Sequence, residues 1–322
     1  MNRIGISLPA GDLALPEQVE LIRRAEELGY TDVWSSEVNA ADGLSMLAAA
    51  TSVTSSIRMG TAILPVYTRG PGLLAMSLAS MAELAPGRFL AGVGSSSNII
   101  VENWNAVGFD KPYGRVRDTV NFLKQALTGE KCTEDYETFS VKGFRLGLVP
   151  DQAPPIVVAA LREGMLRLAG RRGDGAILNW LSPDDTKKVT AIVEEEHPDP
   201  EIVARLFVMP STDRDRVREA AARTIAAYLN VPVYAKFHQW LGRGEQLQPM
   251  WDAWSEGDRK TAVEAVPDSL IDELFIHGSV EECKEQIQAY VDSGIRTPVL
   301  AISDLEGKGP WHWLEAFAPE SR

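Results

Sequence analysis

Apolar residues along the chain fall into two alternating patterns. Short, nearly continuous apolar runs suit parallel strands covered on both faces, while longer stretches with apolar residues every three or four positions suit helices packed on one side. The runs predict strands at residues 3–8, 32–37, 57–64, 88–94, 156–160, 175–179, 202–208 and 298–302. The intervening helices carry their own punctuation. Pro16 opens one whose Val19, Ile22, Ala25 and Leu28 share a face, with Gly29 just past its end. Pro71 opens another, with Leu74, Leu78, Met81 and Ala85 at helical spacing and Pro86-Gly87 as its stop. Ser279-Val280-Glu281-Glu282 is a capping box for a helix that closes at Gly294 and keeps Cys283, Ile287 and Tyr290 on its apolar side.

Eight such repeats in 322 residues predict an α/β fold, a (β/α)8 TIM barrel spanning residues 1–322 as a single domain. A doubly wound sheet also alternates strand and helix, but strand number and length favour closure. Gly92-Val93-Gly94 also has Ser97 where a dinucleotide fingerprint needs its third glycine. Two stretches interrupt the alternation. Residues 131–148 predict a β-hairpin inserted before strand five, with its turn near Lys142-Gly143. Residues 231–269 predict an insertion before strand eight that carries Tyr234, Phe237, His238, Trp240, Trp251 and Trp254, a candidate lid for the barrel mouth.

Composition narrows the function classes. Hydrophobic residues make up 45% and charged residues 24%, enough for a large core. With 45 acidic against 32 basic residues the net charge is −13, which opposes phosphate backbones and anionic lipid, so neither nucleic acid nor a membrane is expected as partner. Cys132 and Cys283 are far apart in sequence and show neither metal-ligand nor CxxC spacing, which fits a reduced, cytoplasmic setting; no export or membrane-insertion segment is seen. His197, His238, His277 and His312 form no pair at ligand spacing, so no metal site is expected, and His238 is the best outside candidate for a base. In a parallel barrel, chemistry sits where the strands end. That selects Glu37, residues 63–67, 95–98 and 161–164, Asn179-Trp180, Met209 and Ser303-Asp304.

Several motifs recur in order along these units: Gly29-Tyr30-Thr31-Asp32-Val33-Trp34, Ile57-Arg58-Met59-Gly60-Thr61, Tyr67-Thr68-Arg69-Gly70-Pro71, and Gly87-Arg88-Phe89 with Gly92-Val93-Gly94. Leu168-Ala169-Gly170 with Asp174-Gly175-Ala176-Ile177-Leu178-Asn179 continues the series. Across nearly the whole chain this resembles the bacterial luciferase-like barrel enzymes, and within them the branch that uses the deazaflavin coenzyme F420. The resemblance implies an oxidoreductase that passes a hydride between F420 and a small organic substrate, in the reducing direction, and a homodimer. An FMN-dependent monooxygenase of the same family is the alternative, and a non-catalytic flavin-binding or interaction protein is the alternative of another class.

The resemblance also implies roles for particular residues. Ala62 and Ile63 match a strand-three bulge, with a non-proline cis peptide, against which the ring lies. Asn98 matches an asparagine after strand four that holds the cofactor, and Ser95 stands where some relatives carry a proton-donating glutamate. Leu161, Arg162, Glu163 and Gly164 match the helix amino terminus that binds the cofactor's phosphate, although relatives commonly have Gly-Pro-Lys where this chain has Arg162-Glu163-Gly164. Glu37-Val38 replaces an Asp-His pair, leaving Glu37 as the catalytic carboxylate that orients substrate or trades a proton, opposite Trp180 as an apolar wall.

Overall fold

A computed structural model describes residues 3–319. Eight strands carry the barrel: β1 Gly5–Leu8, β2 Asp32–Ser35, β3 Arg58–Thr61, β4 Phe89–Gly94, β5 Ile156–Ala159, β6 Gly175–Asn179, β7 Glu201–Met209 and β8 Thr297–Ile302. Each pairs in parallel with its sequence neighbours, and β8 returns to β1, so the sheet is closed. Two short pieces attach to this ring. Leu64–Pro65 continues the line of β3 alongside β4, and Phe275–His277 adds a strand beside β7.

The helices begin and end where local chemistry directs. Leu15–Glu27 takes Pro16 in its first turn, and Gly29 follows it at a φ of 88° that favours glycine. Val280–Asp292 starts at Ser279, whose hydroxyl accepts from the Glu282 N–H while the Glu282 carboxylate accepts from the Ser279 N–H at 2.7 Å. Its Cys283, Ile287 and Tyr290 are buried, and burial pushes the Cys283 thiol up to about 12. Among the described residues no helix is long and apolar enough to cross a membrane.

Both insertions are present, with differences from expectation. The hairpin pairs Cys132–Asp135 with Ser140–Phe144, and its turn lies between Asp135 and Ser140. Lys142 and Gly143 are therefore inside the second strand and not at the turn. Gly143, at a φ of 71°, marks an irregularity in the ladder; an isolated glycine reads as a turn or a bulge equally well from sequence. The second insertion is helical: Pro232–Trp240, Gly244–Ser255, Arg259–Glu264 and Asp268–Leu274 follow the long helix Arg214–Leu229.

The amino-terminal end of the barrel is closed by charge. Arg58 on β3 reaches Asp32 on β2 at 2.8 Å, Glu201 on β7 at 2.9 Å and Thr297 on β8 at 3.1 Å, while Arg3 also reaches Glu201 at 2.7 Å. Burial pushes the Asp32 carboxyl up, against the pull of Arg58. At Glu201 burial acts in the same direction, but Arg58, Thr297 and Arg3 together outweigh it and hold that carboxyl down at about 2.

Candidate active site

The opposite end of the barrel holds a recess that follows from strand alternation. Trp34, Leu90, Val157, Ile177, Val203 and Val299 point inward and form a buried cluster, the floor. Two positions further along their strands stand Ser36, Ala159, Asn179, Arg205 and Ala301, each partly accessible although the residue before it is buried. Ser7 and Ala62 share this accessibility. Ser7, Ser36, Ala62, Ala159 and Ala301 are small, so this layer is open on the side away from Arg205 and Asn179 and the mouth is a cup and not a packed plug. Gly60 serves the floor: a Cβ there would lie 2.3 Å from the Trp34 ring.

The wall on the β3 side is a bulge. Met59 and Gly60 pair with Phe89 and Leu90, but Leu64 and Pro65 pair with Val93 and Gly94, so one extra residue sits on the β3 side. Within it the Ala62-Ile63 bond is cis, as the resemblance implied. The Thr61 hydroxyl replaces the lost ladder bonds: it donates to the Gly92 carbonyl at 2.8 Å and accepts from the Gly92 N–H at 3.0 Å. The Thr61 carbonyl presses so closely on Gly92 that a Cβ there would fall 1.6 Å from it. Only glycine fits, which explains the Gly92-Val93-Gly94 motif without a nucleotide loop.

Beyond β4, Ser95 donates to the Ser96 carbonyl at 3.3 Å, and Ser96 takes a φ of 62°, a conformation uncommon outside glycine. Asn98 then leads into a π-helical turn, Ile99–Trp104. Its side chain is exposed and makes no hydrogen bond to another described residue, leaving both edges of its amide available. After β5, Leu161 is half-buried and Arg162 caps the helix Glu163–Arg172 in extended conformation. The N–H groups of Met165 and Leu166 bond to the Arg162 carbonyl, whereas those of Glu163 and Gly164 lie in the unpaired first turn. Glu163 turns down the helix to Arg167 at 3.0 Å, so its charge is drawn from that terminus, and Arg162 stays exposed. Tyr113 flanks Gly164 on the other side.

Glu37 is committed to protein. Its carboxylate receives both arms of Arg69, one at 2.7 Å, and the Gly43 N–H at 3.0 Å, which ties the loops after β2 and β3 together. Trp180 is not an open wall. With a φ of 58° it turns under an aromatic cap, its ring 4.2 Å from Phe207, 5.2 Å from Tyr228 and 5.8 Å from Phe275 between centroids. Tyr234 from the insertion joins this cap, and burial pushes its phenol up. The insertion thus covers the β6–β7 side of the mouth; Trp251 ties it to the helix Arg214–Leu229 by donating to the Leu229 carbonyl at 2.9 Å, while Trp254 packs under Arg259 within the insertion. His238 is fully buried between Phe237 and the Arg243–Asp185 pair, and burial together with Arg243 lowers it to about 3, far below a useful base.

The sequence reading brought Ala62, Ile63, Ser95, Asn98 and residues 161–164 to this end of the barrel and missed Arg205, Thr61, Arg69 and Tyr113. A charged residue between Val203 and Phe207, at an inward position of an apolar strand, was the available signal for Arg205. Two clefts lie at the amino-terminal end, around Arg3, Glu201 and Arg296 and around Pro155, Asp174 and His197. That end serves stability in parallel barrels, so the mouth is taken as the site. Among the described residues no three His, Cys, Asp or Glu side chains converge as a metal site.

Residues 1–297 match the luciferase-like monooxygenase family. The chain belongs to that family. Within it, the chain is 26% identical over 91% of its length to 5,10-methylenetetrahydromethanopterin reductase of Archaeoglobus fulgidus, of which it covers 91%. It is 23% identical over 98% of its length to F420-dependent glucose-6-phosphate dehydrogenase of Amycolatopsis mediterranei, covering 95% of that protein. The family fold is seen again in the coenzyme F420-dependent tetrahydromethanopterin reductase of Methanopyrus kandleri, with a TM-score of 0.79 over 99% of this chain and 97% of that one at 20% identity. An FMN complex of a type II Baeyer-Villiger monooxygenase from Pseudomonas putida shares the fold at a TM-score of 0.68 and 17% identity, over 99% of this chain and 97% of that one.

Proposed function

We propose that this protein is an F420-dependent oxidoreductase that transfers a hydride between the deazaflavin and a small organic substrate, in the reducing direction. The reading rests above all on full-length similarity to a relative named as an F420-dependent dehydrogenase, beside the fold shared with a coenzyme F420-dependent reductase. The residues of the mouth fit that cofactor. A flat ring needs a recess free of large side chains, and the small inward layer beside the bulge provides one. A phosphate needs free N–H groups at a helix start, and Glu163 and Gly164 open one with Arg162 beside them. Ala62 and Ile63 would support the ring, Asn98 and Ser95 would meet polar groups, and Leu161 would line the approach to the phosphate. The chemistry the cofactor supplies when bound is a two-electron hydride transfer.

The chain's own residues position and shield. Glu37 acts through its clamp on Arg69, holding the loops that follow β2 and β3, and Trp180 with its aromatic neighbours excludes water from the β6–β7 side. No histidine follows Glu37, where Val38 stands, so alcohol oxidation lacks a base there and reduction of an activated double bond is favoured. Fluorescence titration with F420 and FMN side by side tests the reading. Tight FMN binding with oxygen-dependent turnover and no affinity for F420 would refute it, and absence of binding to either would favour a non-catalytic role.

We further propose a cytoplasmic homodimer of one barrel domain. Both cysteines are free and buried, which suits a reducing compartment. Leu73, Met76 and Leu84 on the helix Pro71–Leu84 are each more than half exposed, an apolar face suited to a second copy. Sedimentation of Leu73→Glu/Met76→Glu against wild type checks this; an unchanged wild-type monomer sinks it.

A further inference from the structure

Arg205 is an unusual occupant of a barrel interior. It follows Val203 of the floor by two residues on β7, so its side chain enters the cup. Among the described residues no carboxylate pairs with it, its Nε is buried without a hydrogen-bond partner, and its guanidinium carbon lies 5.0 Å from the Phe207 ring centroid. The buried Nε is a donor left unsatisfied, which is costly, while the rest of the side chain is partly accessible from the mouth. The contrast with Arg58 at the other end, which has Asp32, Glu201 and Thr297, is direct.

The surroundings indicate what the missing acceptor is. Asn179 is the register partner of Arg205 on β6 and also faces the cup, with its Oδ1 accepting from the Trp180 N–H at 3.1 Å and its amide set against the Tyr234 hydroxyl, which leaves one amide N–H. The mouth therefore offers a cation, with one amide N–H beside it, on this side. The whole chain carries −13, a field that repels anions, so a lone inward cation is a local exception. Position separates it from the cofactor contacts. In a ring of eight strands β7 lies four places from β3, and Arg205 faces the Ala62-Ile63 bulge across the mouth. A ring lying on the bulge would have its other face toward Arg205.

We infer that Arg205, assisted by Asn179, receives a carboxylate of the substrate, so that the natural substrates are small organic acids. The inference rests on the hydride-transfer reading above. A planar guanidinium takes a carboxylate through two parallel hydrogen bonds, which would also fix the angle at which the reacting carbon meets the ring.

The test is calorimetric titration of the F420-loaded protein with benzoate, crotonate and cinnamate beside their methyl esters, in wild type, Arg205→Lys and Arg205→Met. Each acid should bind more tightly than its ester in wild type. Arg205→Met should lose roughly tenfold or more for the acids and stay within about twofold for the esters, as expected for one charge-assisted contact. Arg205→Lys should keep part of the preference, and F420 affinity, read by its own fluorescence, should be unchanged in both variants. Equal binding of acids and esters by wild type overturns the inference, as does an intact acid preference in Arg205→Met. Loss of F420 affinity in Arg205→Met overturns it too, by assigning the residue to the cofactor. Should wild type not bind F420 at all, the function proposed above fails, and the acid preference measured without cofactor then decides Arg205 by itself.

Discussion

Replacing Thr61 with valine removes one oxygen and almost no volume, yet it strikes the element that shapes the mouth. The hydroxyl is fully buried and serves both the N–H and the carbonyl of Gly92, at 3.0 and 2.8 Å, where the bulge has pulled β3 out of register with β4. In Thr61→Val both Gly92 groups lose that partner. A buried backbone group left unpaired costs about 1–3 kcal/mol, so the pair should cost about 2–4 kcal/mol in all. Guanidinium unfolding followed by circular dichroism should show a lower midpoint with an unchanged slope, the sign of lost stability without a change in the surface exposed. Thr61→Ser keeps the hydroxyl and loses a methyl, and should cost about 1 kcal/mol, the scale of one buried methyl group. Because the bulge carries Ala62 and Ile63, F420 affinity should fall in the valine variant and hold in the serine variant. A valine variant within about 0.5 kcal/mol of wild type, or a serine variant less stable than it, would refute the role given to this hydroxyl.

Three other outcomes are expected. Glu201, held at about 2 against its ordinary 4.5, contributes about 3 kcal/mol that is fully present above pH 4.5 and lost as pH falls through 2. Glu201→Gln should lose that amount at pH 7 and show a flatter acid slope in denaturant unfolding; an unaltered slope speaks against the network. Asn98→Ala should weaken F420 binding by about 1 kcal/mol, roughly fivefold, with the melting temperature unchanged, since the amide has no protein partner to lose. Cys283, its thiol pushed up to about 12 by burial, should react with a disulfide reagent at pH 8 only as fast as the protein unfolds; rapid reaction of the native protein contradicts the burial.

Much of this was legible in the sequence because it depends on local periodicity. The eight strands, the caps at Gly29 and Ser279, and the positions after β3, β4 and β5 follow from spacing and from turn residues. What escaped depends on distant partners. Glu37 looked like a free carboxylate because nothing in residues 30–40 indicates that Arg69 will clamp it. Trp180 looked like a wall because the cap that covers it comes from Tyr228, Tyr234 and Phe275, far along the chain. Thr61 was hidden in another way: a threonine in a strand is ordinary, and its hydroxyl gains meaning only when Gly92 is brought opposite a bulge. Lys142-Gly143 misled because glycine marks turns and ladder irregularities alike.

The charged belt at the amino-terminal end has a consequence for how the chain is made. Arg58 and Thr297 hydrogen-bond across 239 residues of sequence, and β8 lies between β7 and β1 in the ring. A ribosome must therefore deliver the chain through β8 before the cylinder can seal. Until then β1 and β7 are open edges, able to pair with other nascent chains. Arg3 just before β1 and Glu201 at the start of β7 put formal charge at the foot of those same strands, where an early, dry association would have to bury it unpaired. The clasp that finishes the barrel thus also guards it while it is unfinished.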